Sequence, residues 1–235
     1  NLPAFDLPDQ MPGVGGKEYT NRIIEAHSRI TDLGCDVWVV YADRENFANL
    51  SFLTGYDPRF ESALLVVKDP DKPVLIVGIE NMEYSKLSPV RLDRILYQGF
   101  GLMGQDRSKS PRLEPLLRDS GIKTGCNVGV VGAKYVDNIE CDNPSQWFDV
   151  PAFLLDDLTS VVGSRDNLSN VTQVFINPKD GLRSTNSIDQ LAVFEFAASH
   201  CSQAIRNLLT FVQPGMTEIE AVQEIRLNGL PLSAH

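Results

Sequence analysis

Two aromatic rings and a guanidinium lie close together in one short segment of the sequence, Tyr56-Asp57-Pro58-Arg59-Phe60-Glu61. The segment follows Gly55 and leads into an apolar stretch, so it should form a corner between two elements. Such groups beside a turn bind ligands or partners more readily than they fill a core. A simpler alternative is that Phe60 caps the core while Arg59 is solvated. The segment is the first candidate for a binding function.

A glycine pattern offers a second chemistry, since Gly99, Gly101 and Gly104 have the spacing of a dinucleotide-binding turn. That turn works because a helix starts at once and directs its N-terminus at the pyrophosphate. Here a polar stretch follows, and the next helix is predicted to begin only near Pro111. The pattern therefore predicts a surface loop rather than a nucleotide site.

Metal chemistry needs clustered ligands, and the sequence does not group them. The three histidines, His27, His200 and His235, have no neighbouring ligand at metal-binding spacing. The four cysteines are far apart and form no C-x-x-C pair, which favours reduced, buried thiols. Glu220 stands three residues after Thr217, the spacing of a capping box, so capping is favoured over metal binding there.

Composition sets the class of protein. The 235 residues are 43% hydrophobic and 22% charged, with a net charge of −10. This balance argues against nucleic acid and anionic membranes as partners. No apolar run approaches the roughly 20 residues that span a bilayer, and no signal peptide is evident although the chain begins at Asn1. A cytoplasmic location is expected.

The elements that would position these residues form an α/β pattern. An amphipathic first helix should end at Gly34. The mostly continuous apolar runs that follow suit a sheet with helices on both faces. A tight connection at 69–73 requires at least one antiparallel pair. The predicted strands are 37–41, 63–67, 74–77, 95–97 and 128–131. The expected fold class is α/β, with a mixed, mostly parallel sheet flanked by helices.

The polar segment at 177–181, which contains Pro178 and Gly181, has the composition of a linker. We therefore predict two parts, residues 1–176 and residues 177–235. After the linker, Ser187 and Gln190 form an S-x-x-Q capping box for a helix of about 25 residues. Asp156 and Asp157 are predicted to begin an earlier helix, where acidic side chains complement the dipole.

Two motifs in this order carry a resemblance. The run from Tyr41 to Tyr56 contains Asp43-Arg44, Ala48-Asn49 and Phe52-Leu53-Thr54-Gly55, and far downstream comes Pro214-Gly215-Met216-Thr217-Glu218. Both are similar to motifs of the creatinase/aminopeptidase P/prolidase family, the pita-bread metallohydrolases. The segment 182–191 resembles the entry into that family's catalytic domain.

The resemblance implies that the chain is a creatinase/prolidase-like N-terminal domain followed by the first helices of an incomplete catalytic domain. In this family two Asp, one His and two Glu bind a pair of divalent ions, Mn, Co or Zn, beyond the point that corresponds to His235. The chain itself would then hold no cofactor and no catalytic residue. The full-length parent would be a Xaa-Pro aminopeptidase, a dipeptidase or a creatinase-type hydrolase.

The resemblance also implies roles for three residues. In relatives that dimerise, the N-terminal domain leans over the partner's active site and contacts substrate. Tyr56, Arg59 and Phe60 match the region that does so. Arg59 would hold a substrate carboxylate, since a guanidinium grips it bidentately, and the two rings would be apolar walls. A homodimer and a peptide or small-molecule substrate are expected. The alternative is a stand-alone binding or assembly module without chemistry.

Overall fold

Six strands form one sheet within residues Gly15–Thr185 of the computed structural model, which describes residues 6–226. The strand order is β4-β3-β2-β1-β5-β6. The β1–β2 and β2–β3 pairs are antiparallel and the other three pairs are parallel. The strands are β1 (Val37–Ala42), β2 (Ala63–Val67), β3 (Val74–Val77), β4 (Asp93–Leu96), β5 (Val128–Val131) and β6 (Leu168–Asn170). The predicted mixed α/β sheet is confirmed.

Helices cover both faces of the sheet, which explains why strands β1, β2 and β5 are buried along their whole length. One face packs against α1, α2 and α6 around Trp38 and Phe175. The opposite face packs against α4 and α5 around Leu117 and Leu158. The helices of this unit are α1 (Gly16–Asp32), α2 (Ala48–Thr54), α3 (Ile79–Tyr84), α4 (Leu113–Asp119), α5 (Ala152–Val162) and α6 (Gln173–Ile176).

A second compact unit comprises residues 6–14 and 186–226 of the described chain. Its helices are α7 (Ile188–Phe211) and α8 (Glu218–Gln223). The Ser187 hydroxyl accepts a hydrogen bond from the backbone N–H of Gln190, as the capping pattern predicts. Thr217 and Glu220 form a complete capping box at the start of α8, so Glu220 has the structural role expected of it.

Several sequence predictions need correction. Asp156 and Asp157 lie in the middle of α5, which begins at Ala152 after Pro151, so they do not complement its N-terminus. The strand expected at 95–97 begins two residues earlier, at Asp93. Strand β6 was not predicted at all.

Two further points concern the ends of the elements. The first helix ends as predicted, with Gly34 at a positive φ of 85°. The predicted boundary after residue 176 stays a prediction. His235 lies outside the described residues. No helix within residues 6–226 is long and apolar enough to cross a membrane.

Candidate functional site

The corner between α2 and β2 has a defined backbone structure. Arg59 has a φ of 62°, in the left-handed region that non-glycine residues seldom occupy. The Asp57 carboxylate accepts the backbone N–H of Arg59 at 2.8 Å. The Asn81 side chain donates to the carbonyl oxygen of Pro58 at 2.9 Å. These two bonds, one from a neighbouring side chain and one from α3, hold Arg59 in its strained conformation.

The guanidinium of Arg59 is exposed and touches the ring system behind it. Its Nε donates to the hydroxyl of Tyr84 at 3.3 Å. The ring of Tyr84 lies 5.9 Å from that of Tyr56, centroid to centroid. Arg59, Tyr84 and Tyr56 therefore form one contiguous group that runs from solvent into the core. Within residues 6–226 the other guanidinium donors of Arg59 have no hydrogen-bond partner, which suits them to an external anion.

Tyr56 is buried, with 2% of its surface exposed. Its hydroxyl has no hydrogen-bond partner among the described residues. Burial, and secondarily the nearby carboxylates of Glu61 and Asp57, raise the pKa of the phenol far above its ordinary value. Tyr56 thus lies behind the corner and would contact a ligand only if the corner moved.

Removal of this hydroxyl should stabilise the chain. We expect Tyr56→Phe to raise the free energy of unfolding by about 1 kcal/mol, because a buried unpaired hydroxyl costs roughly 1–3 kcal/mol of desolvation. Urea unfolding checks this. Tyr97→Phe, which removes a half-buried phenol elsewhere, is the matched control. A destabilised Tyr56→Phe protein would mean that the hydroxyl makes a bond in solution.

Phe60 lines a groove of about 550 Å³, which we call the Phe60 groove. Phe60 is 56% exposed. The other walls come from the loop 43–46, from residues 61 and 62, and from the segment 99–103 with Arg107. Arg59 and Tyr56 do not line this groove. The three predicted residues therefore lie in different surroundings. Phe60 lines the groove, Arg59 is an exposed cation outside it, and Tyr56 is buried in the core.

A buried carboxylate fixes one wall of the groove. Glu61 is 4% exposed, and its oxygens accept the backbone N–H groups of Asn81 at 3.1 Å and Glu80 at 3.4 Å. It also accepts the backbone N–H of Leu102. A Cβ at Gly78 would lie 2.6 Å from both carboxylate oxygens, so this close approach requires glycine. Glu61 thus ties the corner to α3 and to the segment opposite Phe60.

Burial raises the pKa of Glu61 above its ordinary value of 4.5, and the hydrogen bonds from Asn81 and Glu80 offset part of that shift. The folded protein therefore binds this proton more tightly than the unfolded chain does. The resulting stabilisation is complete below pH 4.5 and is lost as the pH rises through the raised value. We therefore expect acidification to increase the unfolding free energy of the wild type relative to that of Glu61→Gln.

Urea unfolding of both proteins at several pH values between 8 and 4.5 measures this difference. Glu195→Gln, which removes an exposed carboxylate of α7, is the matched control. A burial cost at Glu61 would be contradicted if the relative stability of the two proteins did not change with pH, or if the wild type lost stability relative to the variant as the pH fell.

Metal and nucleotide chemistry find little support in the described part of the chain. Residues 6–226 contain no group of three or more His, Cys, Asp or Glu side chains that could hold a metal ion. His27 is half-buried and its Nδ1 accepts from the indole of Trp38 at 3.2 Å. Gly99 lies in a short 3₁₀ helix (Gln98–Phe100), Gly101 and Gly104 lie in the loop that follows it, and the next α-helix begins only at Leu113.

The cysteines correct another expectation. All four are free, but only Cys35 is buried, and burial raises the pKa of its thiol to about 11. Cys201 is exposed, so the prediction that all four are buried is wrong.

Sequence reasoning missed two members of the site. Tyr84 belongs to a short helix more than twenty residues from the corner, and no local spacing connects it to Arg59. In the sequence, Glu61 stands out only as the last residue of the corner segment. A glutamate two residues before a continuous apolar strand is a signal that could have marked it, since a carboxylate that is buried there needs hydrogen-bond donors.

Comparison with solved structures identifies the fold. The chain is similar to a prolidase from Pyrococcus horikoshii OT3, with a TM-score of 0.60, 12% identity and coverage of 89% of this chain and 49% of that one. It is also similar to an X-Pro aminopeptidase from Thermotoga maritima MSB8, with a TM-score of 0.57, 15% identity and coverage of 88% and 47%. For a Xaa-Pro dipeptidase from Bacillus anthracis the values are 0.55, 12%, 88% and 48%.

The predicted resemblance is thereby confirmed at the level of the fold. The chain has an α/β fold shared with these prolidase-like structures, and it spans about half of their length. No protein-family model matches the sequence, and no curated protein sequence matches it.

Proposed function

We propose that this chain is the N-terminal part of a Xaa-Pro-peptidase-like metallohydrolase, in which it contributes substrate contacts and dimerisation. The observation that carries the proposal is the fold, which follows prolidase-like structures over 89% of this chain but only 49% of theirs in the first example. The catalytic ions, Mn, Co or Zn, would be bound by the remainder of such a protein. There two ions roughly 3.5–4 Å apart would activate a shared water.

The apolar surface of α7 supports a larger assembly. Exposed apolar side chains recur along this helix at intervals of three or four residues, a spacing that places them on one face. They are Ile188, Leu191, Phe194, Ala198, Cys201, Ile205 and Leu209. Monomeric soluble proteins rarely leave so continuous an apolar stripe in water. Further chain or a second copy would cover it in the proposed enzyme.

Within this proposal the corner supplies the substrate contacts. Arg59 would bind the carboxylate of a peptide, because its exposed guanidinium can form two parallel hydrogen bonds with it. Phe60 would be the apolar wall, since its ring is exposed on the groove. Tyr56 would support the corner from inside the core through its contact with Tyr84.

Expression of the complete reading frame that contains this sequence tests the proposal. The purified protein should hydrolyse a Xaa-Pro dipeptide in the presence of Mn²⁺, Co²⁺ or Zn²⁺, lose activity in EDTA and cleave the matched Xaa-Ala dipeptide poorly. Sedimentation should give a dimer. A reading frame that stops after His235 would overturn the peptidase proposal and favour the stand-alone module, for which the Phe60 groove would be the binding site.

A further inference from the structure

A second cavity is lined by the start of α3, the end of β4 and the segment 105–111. It measures about 470 Å³ and its lining is predominantly apolar, with Ile79, Leu96 and Pro111 among the walls. Ile79 and Leu96 are both exposed, although they are large apolar residues. A concave, largely apolar site of this size with a few polar groups is the usual form of a small-molecule pocket.

The polar groups of the cavity form a directed chain of hydrogen bonds. Glu80 carries a carboxylate, which when ionised can only accept, and it accepts from the side-chain amide of Gln105 at 2.5 Å. The carbonyl oxygen of Gln105 then accepts from the side-chain amide of Gln98. A Cβ at Gly101 would lie 2.7 Å from Nε2 of Gln98, so the glycine at 101 gives these amides room to meet.

This series of hydrogen bonds includes one acceptor that has no donor. Gln98 is 5% exposed, and its Oε1 has no hydrogen-bond partner among residues 6–226. A buried carbonyl oxygen without a donor is unfavourable by roughly 1–3 kcal/mol. The oxygen is itself buried, so a donor in the cavity, which Gln98 lines, would remove that cost only if the Gln98 side chain shifted.

The charged residues of the cavity have both signs. Lys109 is an exposed cation on the lining, and Glu80 and Asp106 are carboxylates on the same lining. An ammonium group in the cavity would therefore be attracted to Glu80, while a carboxylate would be attracted to Lys109. The apolar walls would receive an aliphatic side chain.

We propose that this cavity, which we call the Gln98 cavity, binds a free amino acid with an aliphatic side chain as its zwitterion. The inference does not depend on peptidase activity, since it rests on residues within Gly15–Thr185 alone. It also gives the glycine-rich loop a role that nucleotide binding does not supply, namely to place Gln105 between Gln98 and Glu80.

Calorimetric titration of the 235-residue chain with L-leucine tests the proposal. We expect saturable binding at a concentration of about 1 mM or below. Lys109→Gln should weaken it about 10-fold, because a charge-assisted hydrogen bond is lost. Lys123→Gln removes an exposed lysine outside the lining and is the matched control. Lys109 is exposed, so its replacement should leave folding intact.

Two analogues of leucine separate the contacts. Leucinamide lacks the carboxylate, so it should bind weakly to the wild type and equally weakly to Lys109→Gln. Isocaproate lacks the ammonium group and should bind weakly to both proteins. The proposal is overturned if leucine does not bind at about 10 mM, or if Lys109→Gln and Lys123→Gln bind it equally. It is also overturned if either analogue binds the wild type as well as leucine does.

Discussion

Replacement of Arg59 by alanine is expected to lower kcat/KM for a Xaa-Pro dipeptide by about 10- to 100-fold in the proposed full-length peptidase. The reason is that hydrogen bonds to charged groups contribute about 1.5–3 kcal/mol, and each 1.36 kcal/mol is tenfold in rate. Arg59→Lys should recover only part of this loss, because lysine keeps the charge but lacks the planar fork. Steady-state kinetics of the three proteins measure the effect.

The stability of the same variants distinguishes a functional residue from a turn residue. Arg59 holds a φ of 62°, and left-handed backbone costs an L-residue roughly 1–2 kcal/mol. Arg59→Gly should therefore raise the free energy of unfolding by up to about 1 kcal/mol while it lowers activity as alanine does. Arg91→Ala, at an exposed arginine outside the Phe60 groove, is the control. Unchanged activity in Arg59→Ala would show that Arg59 is only a surface residue.

The second large effect is expected at Asn49. Its side chain is 5% exposed and makes two bonds within the sheet unit. Its amide donates to the carbonyl oxygen of Gly132 at 2.8 Å, and its Oδ1 accepts from Nη1 of Arg183 at 2.8 Å. Asn49→Ala removes both bonds and leaves the carbonyl oxygen of Gly132 without its donor. We expect a loss of about 2–3 kcal/mol in unfolding free energy.

Urea unfolding of Asn49→Ala, of Arg183→Ala and of the double variant measures this effect and its origin. The losses of unfolding free energy in the two single variants should add up to more than the loss in the double variant. The excess should be about 1 kcal/mol or more, because the two residues share a hydrogen bond. Asn138→Ala, at an exposed asparagine, should change stability by less than about 0.5 kcal/mol. Strict additivity would mean that the contact between Asn49 and Arg183 does not stabilise the fold. The Ala48-Asn49 motif would then need another explanation.

The sequence predicts strand bounds best where nearly all of the side chains enter a core. Strands β1, β2 and β5 are continuous apolar runs because both faces are covered, and their bounds were predicted to within one residue. Strand β6 has the sequence Leu168-Ser169-Asn170, with one apolar residue, and exists because it pairs with β5 at the edge of the sheet. No local pattern encodes such a pairing.

In the candidate site, too, local sequence patterns do not reveal contacts between distant segments. The sequence identified the corner from its residue types, since aromatic rings and a guanidinium beside a turn are a local signal. It did not indicate that Tyr56 faces inwards or that Tyr84 lies between it and Arg59. These contacts join segments about 25 residues apart, and they are set by the packing of α3 beside the corner.

The order of strands in the sheet has a consequence for synthesis of the chain. Strand β1 lies in the middle, with β2 on one side and β5 on the other, and residues 37–96 contain all of β1 to β4. A growing chain can therefore complete four strands before residue 128 has been made. Until β5 arrives, β1 has an unpaired edge with apolar residues on both faces, the kind of edge that pairs with other chains. This nascent chain should be more prone to aggregation than the finished sheet.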